Sequence, residues 1–194
     1  MMTKRVILLT TAIVLSLAVT AALYGWYSHK EARALIRDVS DLSHAQDRAA
    51  IFSRLRHKYG NRMNPGTSCT REWCYYVISI NNRALAFLRL IPYTELKAYI
   101  QLHEDDPSGA SLEYRTALAQ GISPVVLIQD DFEGGTESYF NPHDSDGKAV
   151  TNGLVVINAT TPEAIRKRAF ALNIDCLTRL GGCRDGRDLL PGIW

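Results

Sequence analysis

Residues 96–118, LKAYIQLHEDDPSGASLEYRTAL, decide the fold class of this chain. Leu96, Ala98, Ile100 and Leu102 alternate with Lys97, Tyr99, Gln101 and His103, the pattern of a strand with one buried face. Residues 104–109 read as an acidic turn around Pro107, and residues 111–118 return with Leu112, Tyr114 and Thr116 on one side. The two halves predict an antiparallel hairpin.

Downstream, residues 124–129 are a short continuous apolar run, as expected of a strand buried on both faces. The polar residues 130–152 carry Gly134, Gly135, Gly147 and the turn pair Asn141-Pro142, which predicts a long loop or an irregular hairpin. Residues 154–158 supply another buried strand. Thr161-Pro162-Glu163 combines a cap residue, a first-turn proline and an acid, so a helix should start there and run to about Leu172. The tail contains further short helical turns, with Trp194 docked onto the domain.

Upstream, residues 75–80 are aromatic and β-branched, a strand. Residues 84–90 fit a short buried helix better than a continuation of that strand, and residues 61–68, with Asn64-Pro65-Gly66, read as a loop. Before them, Ala32, Leu35, Ile36, Val39 and Leu42 recur at helical spacing. Ser43 followed by Gln46 resembles a capping box that opens a second helix, which buries Ala50, Ile51, Phe52, Leu55 and Tyr59 and stops at Gly60. Two helices separated by a kink, packed on the sheet, follow from this pattern.

Residues 6–27, VILLTTAIVLSLAVTAALYGWY, contain no ionisable side chain apart from tyrosine. As a helix they reach roughly 33 Å, enough for a hydrocarbon layer of about 30 Å. Tyr24, Trp26 and Tyr27 suit the membrane interface and favour an uncleaved anchor, whereas Val19-Thr20-Ala21 and Thr20-Ala21-Ala22 would serve a signal peptidase. Lys4 and Arg5 on one side nearly balance Lys30, Arg33 and Arg37 on the other. Long domains translocate largely regardless of charge, so residues 1–5 are expected in the cytoplasm and the domain outside it.

Net charge is +2, divided as +2 over residues 1–27, +4 over 28–62 and −4 over the remainder. Lys30, Arg33, Arg37 and Arg48 are either a solvated helix face or headgroup contacts, each contributing on the order of 1 kcal/mol near an anionic surface. The folded part lacks the basic excess of a nucleic-acid-binding surface.

Cys69, Cys74, Cys176 and Cys183 form two close pairs. Outside the cytoplasm they read as two disulfides with three possible connectivities. Spacing favours 69 with 74, around Thr70-Arg71-Glu72-Trp73, and 176 with 183, around Gly181-Gly182. Loops this short contribute about 2 to 2.5 kcal/mol each in the chain-entropy model, against nearly 5 for a crosslink spanning over a hundred residues, so energy and spacing pull in opposite directions. The spacing departs from structural zinc sites, and neither pair is the C-x-x-C of a redox centre.

Candidate chemistry is sparse. Asp130, Asp131, Glu133, Asp144 and Asp146 are oxygen donors suited to calcium, but Pro142 stands where the first ligand of an EF-hand loop belongs and Gly153 where its closing glutamate belongs. A solvated acidic loop is the plainer interpretation. His103 beside Glu104, Asp105 and Asp106, and His143, each lack a second histidine spaced to share a site. Asn158-Ala159-Thr160 matches the glycosylation acceptor. The chain has no nucleophile elbow, phosphate loop, dinucleotide fingerprint or zinc-protease helix motif. No catalytic residue, metal ligand or cofactor is assigned.

These features predict an α+β chain: a transmembrane helix over 6–27, a juxtamembrane helical segment over 28–60, then a mainly antiparallel sheet and a C-terminal helical segment over 61–194. The expected role is a binding or assembly module in a cell inner membrane, touching the bilayer through residues 6–27 and a protein partner in the envelope. The alternatives are a hydrolase-like enzyme or metal-binding domain and, after cleavage, a secreted or periplasmic protein.

Overall fold

One unbroken helix, α1 (Met2–His44), carries both the apolar segment and the first core helix. The computed structural model describes residues 2–66, 69, 70, 72–89, 92–118, 121–132, 139–143 and 149–175. After α1 come α2 (Arg48–Tyr59), β1 (Met63–Pro65), β2 (Trp73–Asn81), the short α3 (Arg83–Phe87), β3 (Thr94–His103), β4 (Asp106–Leu118), β5 (Gly121–Asp131), β6 (Tyr139–His143), β7 (Ala149–Asn158) and α4 (Glu163–Ala169). The α+β class is as expected.

The seven strands form one sheet in the order β1-β2-β3-β4-β5-β7-β6. Every neighbouring pair is antiparallel except β5 and β7, which run parallel, so the sheet is mixed. A parallel pair needs a crossover, and the chain makes it through β6 at the sheet edge before β7 inserts between β5 and β6. The predicted hairpin is its centre: Leu96 pairs with Tyr114, Ala98 with Leu112 and Ile100 with Ala110. All six are buried, on the face covered by α1 and α2. Ala32, Leu35, Val39 and Leu42 of α1 are fully buried there and Ile36 nearly so, and each of the valine, leucine and isoleucine side chains contributes about 1.5–3 kcal/mol relative to exposure.

Along α1 the environment changes abruptly. Residues 7–20 are exposed on every side, while Gly25, Ser28, Ala32 and Leu35 lie against the domain. An all-round apolar helix gives way to an amphipathic one without a break in hydrogen bonding. The segment is therefore long and apolar enough to cross a membrane, as a transmembrane or signal-anchor helix would.

Several local expectations require correction. The second helix is capped by Asp47, whose carboxylate accepts from the Ala50 amide at 2.9 Å, and not by Ser43, whose hydroxyl is used elsewhere. Ala50 is exposed, whereas Phe52, Leu55 and Tyr59 are buried and Ile51 packs against them. Gly60 stays right-handed and leads into a short 3-10 turn, after which β1 pairs with β2 inside the stretch read as a loop. Gly66 lies so close to β2 that a Cβ there would meet the Tyr75 ring at 2.2 Å.

The β3–β4 turn is only Glu104 and Asp105, both at positive φ (50° and 68°), as a tight hairpin with right-handed twist requires. Pro107 lies in the strand opposite Leu102, at a register shift where a missing amide hydrogen is tolerated. At the end of β5, Ile128 and Asp130 are buried but Gln129 is exposed, so this end of the strand is one-sided. Residues 130–152 contain an irregular hairpin rather than a loop: β6 pairs with β7 across a shift between Asn141 and His143. The last described helix ends at Ala169, not Leu172, and Pro162 occupies its cap without a side-chain bond. Cys176, Cys183 and Trp194 lie outside the described residues.

Candidate functional site

The first cysteine pair is joined: Cys69 and Cys74 form a disulfide with Cα atoms 4.1 Å apart. It closes a turn in which the Thr70 hydroxyl accepts from the Trp73 amide at 3.0 Å, just before β2. Such a bond points to an oxidising compartment. The expected partnership of Cys176 with Cys183 falls beyond the described chain.

Among the described residues, His103 and the predicted acids do not converge. The His103 ring lies against the half-exposed Trp73, with centroids 4.5 Å apart. Glu104, Asp105 and Asp106 are exposed around the turn, whereas Asp130 is buried beneath the helices. Among the described residues no three His, Cys, Asp or Glu side chains come together as a metal site. Glu133, Asp144, Asp146 and the His143 side chain lie outside them. The glycosylation acceptor is also closed. Asn158 is fully buried, its side-chain oxygen accepting from the Thr160 amide at 2.9 Å and the Thr161 amide at 3.1 Å.

What the structure does assemble is a buried polar lock where α1 ends. Ser43 donates its hydroxyl to Asp130 Oδ2. Arg166 of α4 reaches the same carboxylate oxygen at 3.1 Å, Ser43 Oγ at 3.0 Å and the Ser43 carbonyl oxygen at 2.5 Å. The carbonyl belongs to the last turn of α1, where no intrahelical donor remains. Asp130 is 1% exposed and Ser43 0%, and the partly buried Arg166 closes over them, so the network joins α1, β5 and α4. Beside it the Arg48 guanidinium sits 4.6 Å from the Phe132 ring centroid. His44 is turned away: Nδ1 faces the Ser40 carbonyl oxygen at 2.6 Å. The described partners of the Ser43 hydroxyl are thus Asp130 and Arg166, with no histidine among them.

Sequence reasoning misread this cluster, taking Ser43 for a cap and Asp130 for one of a set of loop acids. A signal was present. Ser43 lies four residues after Val39 and seven after Ile36, on the stripe that the apolar residues define, and a polar group there needs a buried partner.

At the other end of the core, two clefts flank α1. One, of about 360 Å³, is polar and is lined by Tyr27, Glu31, His57, Tyr59 and Arg62. Arg62 pairs with Glu31 there, and the Asp38 carboxylate accepts from Tyr59 at 2.7 Å. Burial, followed by that bond, pushes the Tyr59 phenol far up. The other cleft is an open apolar groove between Tyr24 and α3. Of the juxtamembrane cations, Arg33 bonds Asp175 at 2.9 Å and Lys30 lies over the Trp26 ring. Arg48 opens α2, just past the end of α1 at His44, which is roughly 25 Å from Tyr27 at 1.5 Å per residue.

The sheet face opposite the helices is polar. Tyr99 donates to Glu113 at 2.9 Å, Arg115 pairs with Glu113 at 3.1 Å, and Ser79 donates to Glu95 at 2.5 Å. Burial and then the Glu113 bond push the Tyr99 phenol up to about 12. Gln101 and Gln129 on this face are exposed. No protein-family model matches this chain, and no curated protein or solved structure matches it either.

Proposed function

We propose that this chain is a membrane-anchored binding or assembly module, its domain standing outside the cytoplasm on a bacterial inner membrane and acting through a protein partner in the envelope. The observation that carries this reading is the unbroken α1. A flexible tether would let the domain tumble, whereas a helix shared between apolar segment and core couples the sheet rigidly to the anchor. The Cys69–Cys74 disulfide supports the extracytoplasmic side. The polar face around Tyr99, Gln101 and Glu113 is the surface offered to the partner.

Photo-crosslinking in intact cells tests the partner. p-Benzoylphenylalanine in place of Gln101 should give one discrete protein adduct, and the same label in place of Arg56, exposed on α2, should give none. No protein adduct from either position, with the chain present in the membrane fraction, would refute a binding module. Mass spectrometry of the chain from its native membrane, with and without reduction, tests the location. A retained N-terminus and four oxidised cysteines are expected, and reduced thiols would overturn the extracytoplasmic placement.

A further inference from the structure

The groove between α1 and α3 has a surface that the core does not use. Phe87 is 86% exposed and Leu88 49%, and Phe87 is more exposed than any large apolar side chain described in the apolar segment itself. Single exposed apolar residues are ordinary. This pair is different because of its neighbours: the groove they line also includes Tyr24, Ala84 and Ala86. Tyr24 belongs to the aromatic end of residues 6–27, and its hydroxyl donates to the Asn81 carbonyl oxygen at 3.3 Å, fixing the start of α3 at that height. Trp26 and Tyr27, both exposed, follow within the same helical turn.

Height is what identifies the occupant. Tyr24 lies three residues, roughly 4.5 Å, inside the end of the apolar stretch, so anything level with it sits at the boundary between hydrocarbon and headgroups. The charge agrees. Among the described lining residues Arg83 alone is charged, with Glu95 behind Tyr93, and exposed Arg89 turns the chain at φ 55° directly after Leu88, leaving Phe87 and Leu88 at the tip.

We propose that α3 is a second membrane contact: Phe87 and Leu88 enter the boundary of the bilayer crossed by α1, with Arg83 and Arg89 beside the lipid phosphates. This rests on α1 being a span. The contact adds a second point to the anchor, so the domain can neither rotate about α1 nor tilt freely. Interfacial aromatic and leucine side chains gain from leaving water, and nearby cations gain from anionic headgroups.

The test uses the full chain in nanodiscs of phosphatidylethanolamine and phosphatidylglycerol, with p-benzoylphenylalanine placed singly at Phe87, Leu23 or Ile165. Leu23 reports the span. Ile165 is on α4, whose Arg166 touches Ser43, nineteen residues along α1 from Tyr24 and roughly 28 Å further from the bilayer. Lipid adducts are expected at Phe87 in about the yield seen at Leu23, and about tenfold above Ile165. Adducts at Leu23 without adducts at Phe87 would overturn the second contact and leave the span intact. Absence at both would remove the span and the proposal together. A Phe87 yield no higher than that of Ile165, or a protein adduct at Phe87 in cells in place of lipid, would also overturn it.

Discussion

Residues 7–27 and residues 28–43 belong to one helix, yet they solve opposite solvation problems. The first stretch is apolar around its whole circumference, and residues 7–20 touch nothing in the fold. The second is apolar along one stripe, which it buries completely against β2, β3 and β4. The difference shows that helix geometry does not decide whether a segment joins a core. An all-round apolar surface cannot be covered by one sheet, while a stripe about a third of the circumference wide matches a single sheet face.

The sharpest way to break this contrast is at the lock that ends the buried half. Asp130→Ala removes the carboxylate shared by the partly buried Arg166 guanidinium and the buried Ser43 hydroxyl, leaving Arg166 only the Ser43 oxygens, and should cost about 3 kcal/mol. Urea unfolding of the detergent-solubilised chain measures it. An unchanged midpoint would mean that the lock does not hold α1 to the sheet.

A matched pair of substitutions compares the halves directly. Leu35→Ala removes a fully buried side chain and should cost about 2–5 kcal/mol. Leu17→Ala, at a position 56% exposed, should leave domain unfolding within about 0.5 kcal/mol of the parent. Equal effects would mean that residues 7–20 also pack on the domain.

The smallest effect separates the two faces of the sheet. Tyr99 keeps its proton to about pH 12 when folded, whereas an unfolded tyrosine loses it near 10. The folded state thus holds the extra proton between those values. Its contribution to stability is complete below the unfolded value and is lost as pH rises through the folded one. The difference in phenolate absorbance between the parent and Tyr99→Phe should therefore develop late in an alkaline titration. On the covered face Tyr114 is pushed higher still by burial, so it should ionise only as the fold is lost. A Tyr99 difference signal centred near 10 would mean that the polar face is open to water and that the Glu113 bond does not persist.

Much of the fold was legible because periodicity reports burial. The alternation from Leu96 to His103 and the helical spacing from Ala32 to Leu42 each identified the buried face correctly. Caps and strand ends were less legible. Ser43-x-x-Gln46 has the residues of a capping box, yet Asp47 is the cap, since the Ser43 hydroxyl gains more from a buried carboxylate than from a solvated helix end. Residues 63–65 have no strand pattern of their own and become a strand because β2 offers an unpaired edge.

The candidate sites were the least legible part. Asp130 is one more acid in a polar sequence until β5 turns it inward, and His103 looked available until Trp73 covered its ring. The α3 tip was also hidden. Residues 84–90 read as a short buried helix, and although Leu85 is buried, Phe87 and Leu88 point outward.

By itself the sequence determined the α+β class, the apolar segment and the central hairpin. Each is a local property, written in hydrophobic period or in spacing along the chain. Only the tertiary structure decided that the segment and the first core helix are one body, that β7 runs parallel to β5, and that Ser43, Asp130 and Arg166 meet. Those depend on which residues far apart in sequence become neighbours, and burying a charge or pairing two strands acquires its free energy only once they do.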